Sequence, residues 1–175
     1  MANSAISIDE LKLKSLAIWD EQWFLLTAGN FAEKKFNSMT ISWGSIGVMW
    51  GRTFFQVVVR PTRYTLGFMQ KYPDFTVSAF PKQYHKALEI MGAKSGRDID
   101  KVAKTGLTPC AASMVGAPAY AEANLVFECR KIYTDVFHPE AFLEPKIEEN
   151  YPRKDYHIIF YGEILAVSGD KTVYC

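Results

Sequence analysis

Thr53-Phe-Phe-Gln-Val-Val-Val-Arg60, followed at once by Pro61, is the stretch on which the fold turns. Its β-branched and aromatic side chains fit a pleated surface and would lose rotamer freedom in a helix. Pro61 cannot donate to a sheet ladder, so the strand stops there. The same signature recurs on both sides. Gln22-Trp-Phe-Leu-Leu-Thr-Ala28 reads as a strand ending at the turn pair Gly29-Asn30, and Met39-Thr-Ile-Ser-Trp43 alternates before Gly44, Gly47 and Gly51 punctuate a tight connection. Asp74-Phe-Thr-Val-Ser-Ala-Phe80 is a strand closed by Pro81, and 123–133 and 157–167 are two longer ones joined by a proline-bearing connection from His138 to Pro152. Three short helices fit between them. Residues 62–71 carry Tyr64, Phe68 and Met69 as an apolar stripe, 83–91 end at a left-handed cap on Gly92, and 99–104 end at Gly106.

Strands in series with only short helices lack the βαβ rhythm of a parallel sheet, so the expected fold is mainly β, a closed antiparallel barrel with helical insertions. The 175 residues suit one domain, and no repeat, low-complexity tract or linker divides them; residues 1–175 read as a single domain with its core over about 20–167. At 49% hydrophobic and 14% aromatic residues, the chain can bury a core without metal or disulfide staples. Twenty Lys and Arg against 19 Asp and Glu, with no basic stripe, argue against a nucleic-acid partner. No apolar run reaches the roughly 18 residues of a membrane span. The first ten residues lack the basic start and apolar stretch of a secretory leader, and Cys110, Cys129 and Cys175 form no C-x-x-C. A reducing cytoplasm is therefore the expected location.

Three segments carry candidate chemistry. Asn37-Ser-Met-Thr-Ile-Ser-Trp-Gly44 offers short hydroxyls, an amide and a glycine that lets backbone approach a flat ligand, as a heteroaromatic ring with carbonyl and imino edges requires. A half-solvated strand entering a glycine-rich hairpin would look the same. Arg60-Pro-Thr-Arg-Tyr-Thr65 sets two guanidiniums, a phenol and two hydroxyls at a strand end and a helix start, which suits a phosphate monoester. Two surface arginines beside an N-cap at Thr62 are the alternative. Ser95-Gly-Arg-Asp-Ile-Asp-Lys101 suits either a small anion nest reached by Lys101 or a capped helix start. His85, His138 and His157 share no metal-ligand spacing, so no metal site is expected; His157, at the start of a long strand, is the one candidate active-site histidine. Cys129 reads as a buried apolar residue, and nothing near Cys110 favours a thiolate. Neither Gly-x-Ser-x-Gly nor Gly-x-Gly-x-x-Gly occurs.

Together these segments resemble the flavin reductase-like family of FMN-binding split barrels, and within it the flavoredoxin branch. The likeness rests on Asn37–Gly44, Val59-Arg-Pro-Thr-Arg-Tyr-Thr65, Phe75-Thr-Val-Ser-Ala-Phe-Pro81, Ser95–Lys101 and Tyr156-His-Ile-Ile-Phe-Tyr-Gly-Glu-Ile164, which occur in the family's order. The resemblance implies a homodimer of split β-barrels with FMN at the barrel mouth near the subunit interface. Asn37, Ser38, Met39, Thr40, Ser42, Trp43 and Gly44 would line the isoalloxazine ring. Arg60, Arg63, Tyr64 and Thr65 would hold the phosphate, with Ser95, Gly96 and Lys101 closing another side. His157 and Glu163 fall on a strand that in such proteins runs near the flavin or the dimer contact. The implied activity is that of an oxidoreductase passing electrons from NAD(P)H or a protein donor through FMN to a flavin or other small acceptor. Many NAD(P)H-using flavin reductases carry Gly-Asp-His where this chain has Lys154-Asp-Tyr-His157. An FMN-carrying electron-transfer protein that works only through redox partners therefore stays open as the alternative.

Overall fold

The computed structural model describes residues 3–14 and 16–175; Met1, Ala2 and Ser15, which the single-domain reading also spans, lie outside the described residues. In chain order the elements are β1 (Ser4–Ala5), β2 (Phe24–Asn30), β3 (Lys35–Ile41), β4 (Gly44–Met49), β5 (Arg52–Val59), α1 (Thr65–Lys71), β6 (Asp74–Ala79), α2 (His85–Ala93), α3 (Lys101–Thr105), β7 (Pro109–Cys110), β8 (Ala119–Tyr120), β9 (Leu125–Val136), β10 (Ile158–Gly169) and α4 (Lys171–Tyr174). The main sheet runs β3-β2-β6-β9-β10-β5-β4, with β1 also paired to β10. Every pairing in it is antiparallel.

The path ends at β3 and β4, so hydrogen bonds do not close it into the ring expected from the sequence: the barrel is split. Only Ser42 and Trp43 separate these end strands, a span of at most about 11 Å. The sheet must therefore curl until its ends meet, and among the described residues the outer edge of β3 has no strand partner.

The curl encloses Phe24, Leu26 and Ala28 of β2 with Phe55, Val57, Phe75, Val77 and Phe127. Phe24, Phe55 and Phe127 meet at ring separations of 5.0–6.4 Å. Leu25 points the other way and joins Phe80, Leu88, Met91 and Tyr120 in a second cluster beneath α2. With both faces covered, β2 reads as an unbroken apolar run rather than an alternating one.

Several local expectations need correction. Gly44–Met49 is a strand, not a tight connection, and Trp50 (φ 54°) and Gly51 (φ 69°) make the turn between Met49 and Arg52. Two consecutive positive φ angles match the twist of the flanking strands. Gly29 and Asn30 belong to β2, and the turn falls on the next four residues. Helix α1 starts at Thr65 with Tyr64 as its N-cap residue, not at Thr62. Helix α2 continues through Gly92, whose added Cβ would lie 3.2 Å from the Thr40 side chain. That glycine serves close packing of α2 on β3 and is not the left-handed cap expected there, whereas Gly106 (φ 68°) caps α3 in the left-handed conformation. Among the described residues no helix is long and apolar enough to cross a membrane.

Candidate functional site

The free edge of β3 organises the site. Lys101 Nζ and Asn37 Nδ2 both donate to the Ser38 carbonyl oxygen. Backbone groups alternate in direction along a strand, so Ser38 and Thr40 direct their N–H and C=O groups away from β2. Against this edge lie the turn from Arg60 to Tyr64, the segment after α2, and α3. A recess of about 180 Å³ is lined by Met39, Thr40, Ser42, Trp43, Arg60, Arg63 and His157. A second, of about 90 Å³, is lined by Asn37, Tyr64, Thr65, Ser95, Gly96 and Lys101. Met39 and Arg63 border both, so segments far apart in sequence meet in one continuous cleft. Gly44 lies outside it: an added Cβ there would stand 2.5 Å from the Trp19 ring and 2.3 Å from the Gln56 carbonyl oxygen.

Several polar side chains of the cleft are bonded within the protein. Asn37 Nδ2 donates to Thr65 Oγ1 at 2.7 Å, and both residues are buried. Ser38 Oγ shares hydrogen bonds with Thr27 Oγ1 (2.8 Å) and Tyr120 Oη (2.7 Å). Thr40 Oγ1 donates to the Leu88 carbonyl, and Lys101 Nζ also donates to the Met91 carbonyl at 3.0 Å. These groups brace β3 against β2, α1, α2 and α3, and so fix the wall. Ser42, Trp43 and Arg63 are exposed on it. Arg63 spends one donor, Nη1, on the Gly92 carbonyl (2.8 Å).

Arg60 is held more firmly. It pairs with Asp155 (3.0 Å), donates to the Asn150 carbonyl (2.7 Å) and lies 4.9 Å above the Tyr151 ring. Tyr151 Oη in turn shares a 2.9 Å hydrogen bond with His157 Nδ1, and the His157 ring sits 5.3 Å from Trp43. Burial lowers the His157 pKa to about 4, aided by the positive charges of Arg60 and Arg63 and opposed by Asp155. The imidazole is therefore neutral at pH 7. Burial, with Arg63 nearby, lowers Lys101 to about 8.

Glu163 is not brought to this cleft. Its carboxylate lies between Arg52 and Arg130, six residues along the chain from His157 and so about 20 Å away at the rise of a strand. Sequence reasoning missed Tyr151 and Asp155, which carry no local pattern inside an irregular connection. It also gave no role to Arg97, whose guanidinium lies 4.9 Å above the Tyr64 ring. Cys129 is fully buried as expected, and burial with Glu122 and Glu128 pushes the Cys110 thiol up. Among the described residues no group of His, Cys, Asp and Glu is arranged to hold a metal ion.

The fold is that of a split barrel whose free edge strand borders an arginine-bearing cleft. The chain belongs to the flavin reductase like domain family, whose family model matches residues 22–174. It is 29% identical over 100 residues to an uncharacterized protein of Aquifex aeolicus (strain VF5), a match spanning 57% of this chain and 42% of that relative's length. Its fold is similar to that of an FMN-binding domain of a flavin reductases-like enzyme from Shewanella baltica OS155 (TM-score 0.72, 16% identity, 99% of this chain and 81% of that one). It is also similar to flavoredoxin of Desulfovibrio vulgaris (Miyazaki F) (0.67, 22%, 97% and 77%). An NADH:FAD oxidoreductase of Streptomyces globisporus C-1027 shares the fold as well (0.64, 17%, 88% and 78%).

Proposed function

We propose that this chain carries FMN along the free edge of β3 and acts as an oxidoreductase, taking electrons from NAD(P)H or a protein donor and passing them to a flavin or other small acceptor. The observation that carries the reading is the junction at Arg63, where an outward-facing backbone edge meets an exposed guanidinium. The first suits the carbonyl and imino rim of a flat ring, and the second suits a phosphate. The likeness in fold to an FMN-binding domain and to a flavoredoxin supports it.

Bound FMN would supply the hydride and one-electron chemistry. The backbone donors of Ser38 and Thr40 would orient the ring, and Arg63 would hold the phosphate beside Tyr64 and Ser95. Trp43 would shield one side from water. Arg60 acts through its neighbours, fixing Asp155 and Tyr151 and through Tyr151 the His157 ring. Because His157 is neutral, it offers a hydrogen bond without a charge, and the positive field of the cleft comes from the arginines.

The test is a visible spectrum of the purified protein followed by titration with FMN. We expect oxidised-flavin bands and one FMN per chain, with Arg63→Ala weakening the affinity about 10- to 100-fold, the loss of a hydrogen bond to a charged group. Failure to bind FMN at micromolar concentrations would end the reading. Consumption of NADH or NADPH by the loaded protein identifies a nicotinamide donor. Lys154-Asp-Tyr-His157, in place of Gly-Asp-His, favours the second reading, an electron-transfer protein reduced by a partner. That reading is supported if nicotinamides are not consumed while dithionite or a ferredoxin still reduces the bound flavin.

A homodimer belongs to the same proposal. Exposed Trp50 and Tyr133 cluster with the half-buried Tyr161, with ring separations of 5.7–6.3 Å. Val48, nearby on β4, is 70% exposed. Light scattering is expected to give twice the chain mass, and Trp50→Glu to halve it; a monomeric wild type would remove the dimer. A reducing cytoplasm belongs to the proposal as well, and the free cysteines among the described residues are compatible with it.

A further inference from the structure

A recess of about 860 Å³ opens at the start of α2 and shares no lining residue with the cleft at that helix's other end. Three parts of the chain wall it. The segment before β2 supplies Leu13 and Ile18, the end of β6 and the start of α2 supply Phe80 and Leu88, and α4 supplies Val173 and Tyr174. Hydrogen bonds tie these parts together. Lys12 N donates to the Tyr174 carbonyl oxygen at 2.8 Å, and Gln22 Nε2 donates to the Phe80 carbonyl oxygen (2.9 Å) and to Tyr174 Oη (3.1 Å). The walls are thus braced by the protein itself, without an occupant.

Polarity changes with depth. Ile18, Phe80, Leu88 and Tyr174 are only 1–5% exposed and form the floor. Lys12, Lys14 and Lys82 also line the recess but are exposed, so their ammonium groups stand at its mouth. Glu21 is the one carboxylate among the described lining residues, which makes the mouth positive in a chain whose net charge is only +1.

The backbone of one wall is irregular. Ile18–Gln22 form a π-helical turn that contributes Ile18, Glu21 and Gln22 to the recess. It ends on Trp23, whose φ of 62° and ψ of 167° lie in a region that only glycine enters freely. The Trp23 ring holds that conformation by packing on His85 at 4.2 Å and by donating from Nε1 to the Asp20 carbonyl oxygen (3.1 Å). Single π-helical turns and strained residues collect at binding sites, and here both shape the same wall.

We propose that this recess is a second ligand site, taking an aliphatic carboxylate with its chain along Leu13, Ile18, Leu88 and Val173 and its head at the lysines of the mouth. A buried apolar chain gains about fourfold in affinity for each methylene removed from water. The ammonium groups select the anionic end. None of these residues belongs to the cleft, so the site does not rest on the flavin reading.

Calorimetric titration with hexanoate, octanoate, decanoate and decanol tests this. We expect decanoate to bind at micromolar concentrations, one molecule per chain, with octanoate about 15-fold weaker and hexanoate weaker again by the same factor. Decanol, which lacks the charge, should bind about tenfold more weakly than decanoate. Two variants separate head from chain. Lys12→Glu/Lys82→Glu should weaken decanoate about tenfold while leaving decanol within about twofold. Val173→Asp sets a charge beside the chain and should weaken both. The replaced side chains are exposed, so each variant is expected to keep the wild-type circular dichroism spectrum and FMN affinity. The proposal is overturned if decanoate does not bind below about 1 mM, if decanol binds as tightly, or if neither variant changes decanoate binding. If decanoate competes with FMN and Arg63→Ala abolishes its binding, the carboxylate occupies the cleft; the recess then loses its ligand while the flavin reading stands.

Discussion

Replacing Glu128 with alanine is expected to lower the folding free energy by about 3 kcal/mol and to loosen the hairpin that carries Phe31 and Phe36. Glu128 is 4% exposed, in the middle of β9, and its carboxylate accepts from Ser113 N (3.0 Å), Ser113 Oγ (2.9 Å) and Met114 N (2.6 Å). Hydrogen bonds to a charged acceptor contribute about 1.5–3 kcal/mol each. Because Ser113 and Met114 are exposed, water can take over part of what they lose, which keeps the total near that of one or two bonds. The loop so anchored continues to Gly116 and Ala117, which donate to Asp74, and the Gly116 carbonyl accepts from Phe31 N at 2.9 Å. A carboxylate on β9 thus helps set the entry of the β2–β3 hairpin. Denaturant unfolding of Glu128→Ala and Glu128→Gln checks this. Glutamine keeps one acceptor oxygen and should lose about half as much; a loss below about 1 kcal/mol for alanine would mean that the loop holds itself in place.

Glu128 also shows where reading the sequence stops. Residues 125–129 of β9 are buried throughout, whereas an isolated glutamate in a strand pattern reads as solvent-facing. Its partners are 14 and 15 positions away in a loop without a motif. By contrast, Thr53–Arg60 is legible because its side chains favour a strand whatever surrounds them, and β5 occupies nearly those residues. Strand β4 is not legible for the opposite reason. Gly44 and Gly47 look like turn residues, but they make room for Trp19 and, across the ladder, for the Phe54 ring 3.3 Å from an added Cβ. A glycine required by a bulky neighbour and a glycine required by a turn look alike in one dimension.

The candidate site divides in the same way. Arg60, Arg63 and Ser95 stand out as types, and the structure places all three on the cleft. What could not be read is that the small polar residues of 37–42 are largely engaged with their own protein. Asn37 meets Thr65 at a separation of 28 residues, and Lys101 meets Ser38 at 63. The same short hydroxyls and amides that suit a ligand also suit a tightly braced wall, and only the tertiary fold distinguishes the two. The order of the five segments carried more information than any one of them, because a shared topology constrains order.

Acidification should act on this cleft through His157. Its folded pKa of about 4 lies below the 6.5 of an unperturbed histidine, because of burial first and then Arg60 and Arg63. The folded state therefore binds fewer protons than the unfolded chain between these values, and stability rises with pH through that window. Conversely, it is lost as the pH falls from about 6.5 towards 4, by about 3 kcal/mol at most. The groups facing the imidazole explain the direction. Tyr151 and Trp43 keep water away, and two guanidiniums disfavour a third positive charge in the recess, with Asp155 the one opposing carboxylate. Other carboxylates also titrate in acid, so the comparison that isolates His157 is wild type against His157→Gln, each unfolded by denaturant from pH 3.5 to 7.5. The wild type should lose more stability on acidification, the difference opening between pH 6.5 and 4 and constant below. FMN affinity provides a separate readout: a protonated His157 must be accommodated beside Trp43 and Arg60, so the wild-type affinity should change near pH 4, and the variant should lack that step. If the imidazole resonances instead titrate near 6.5 and the two stability curves run parallel, His157 is solvated and the braced Arg60–Asp155–Tyr151 arrangement does not enclose it.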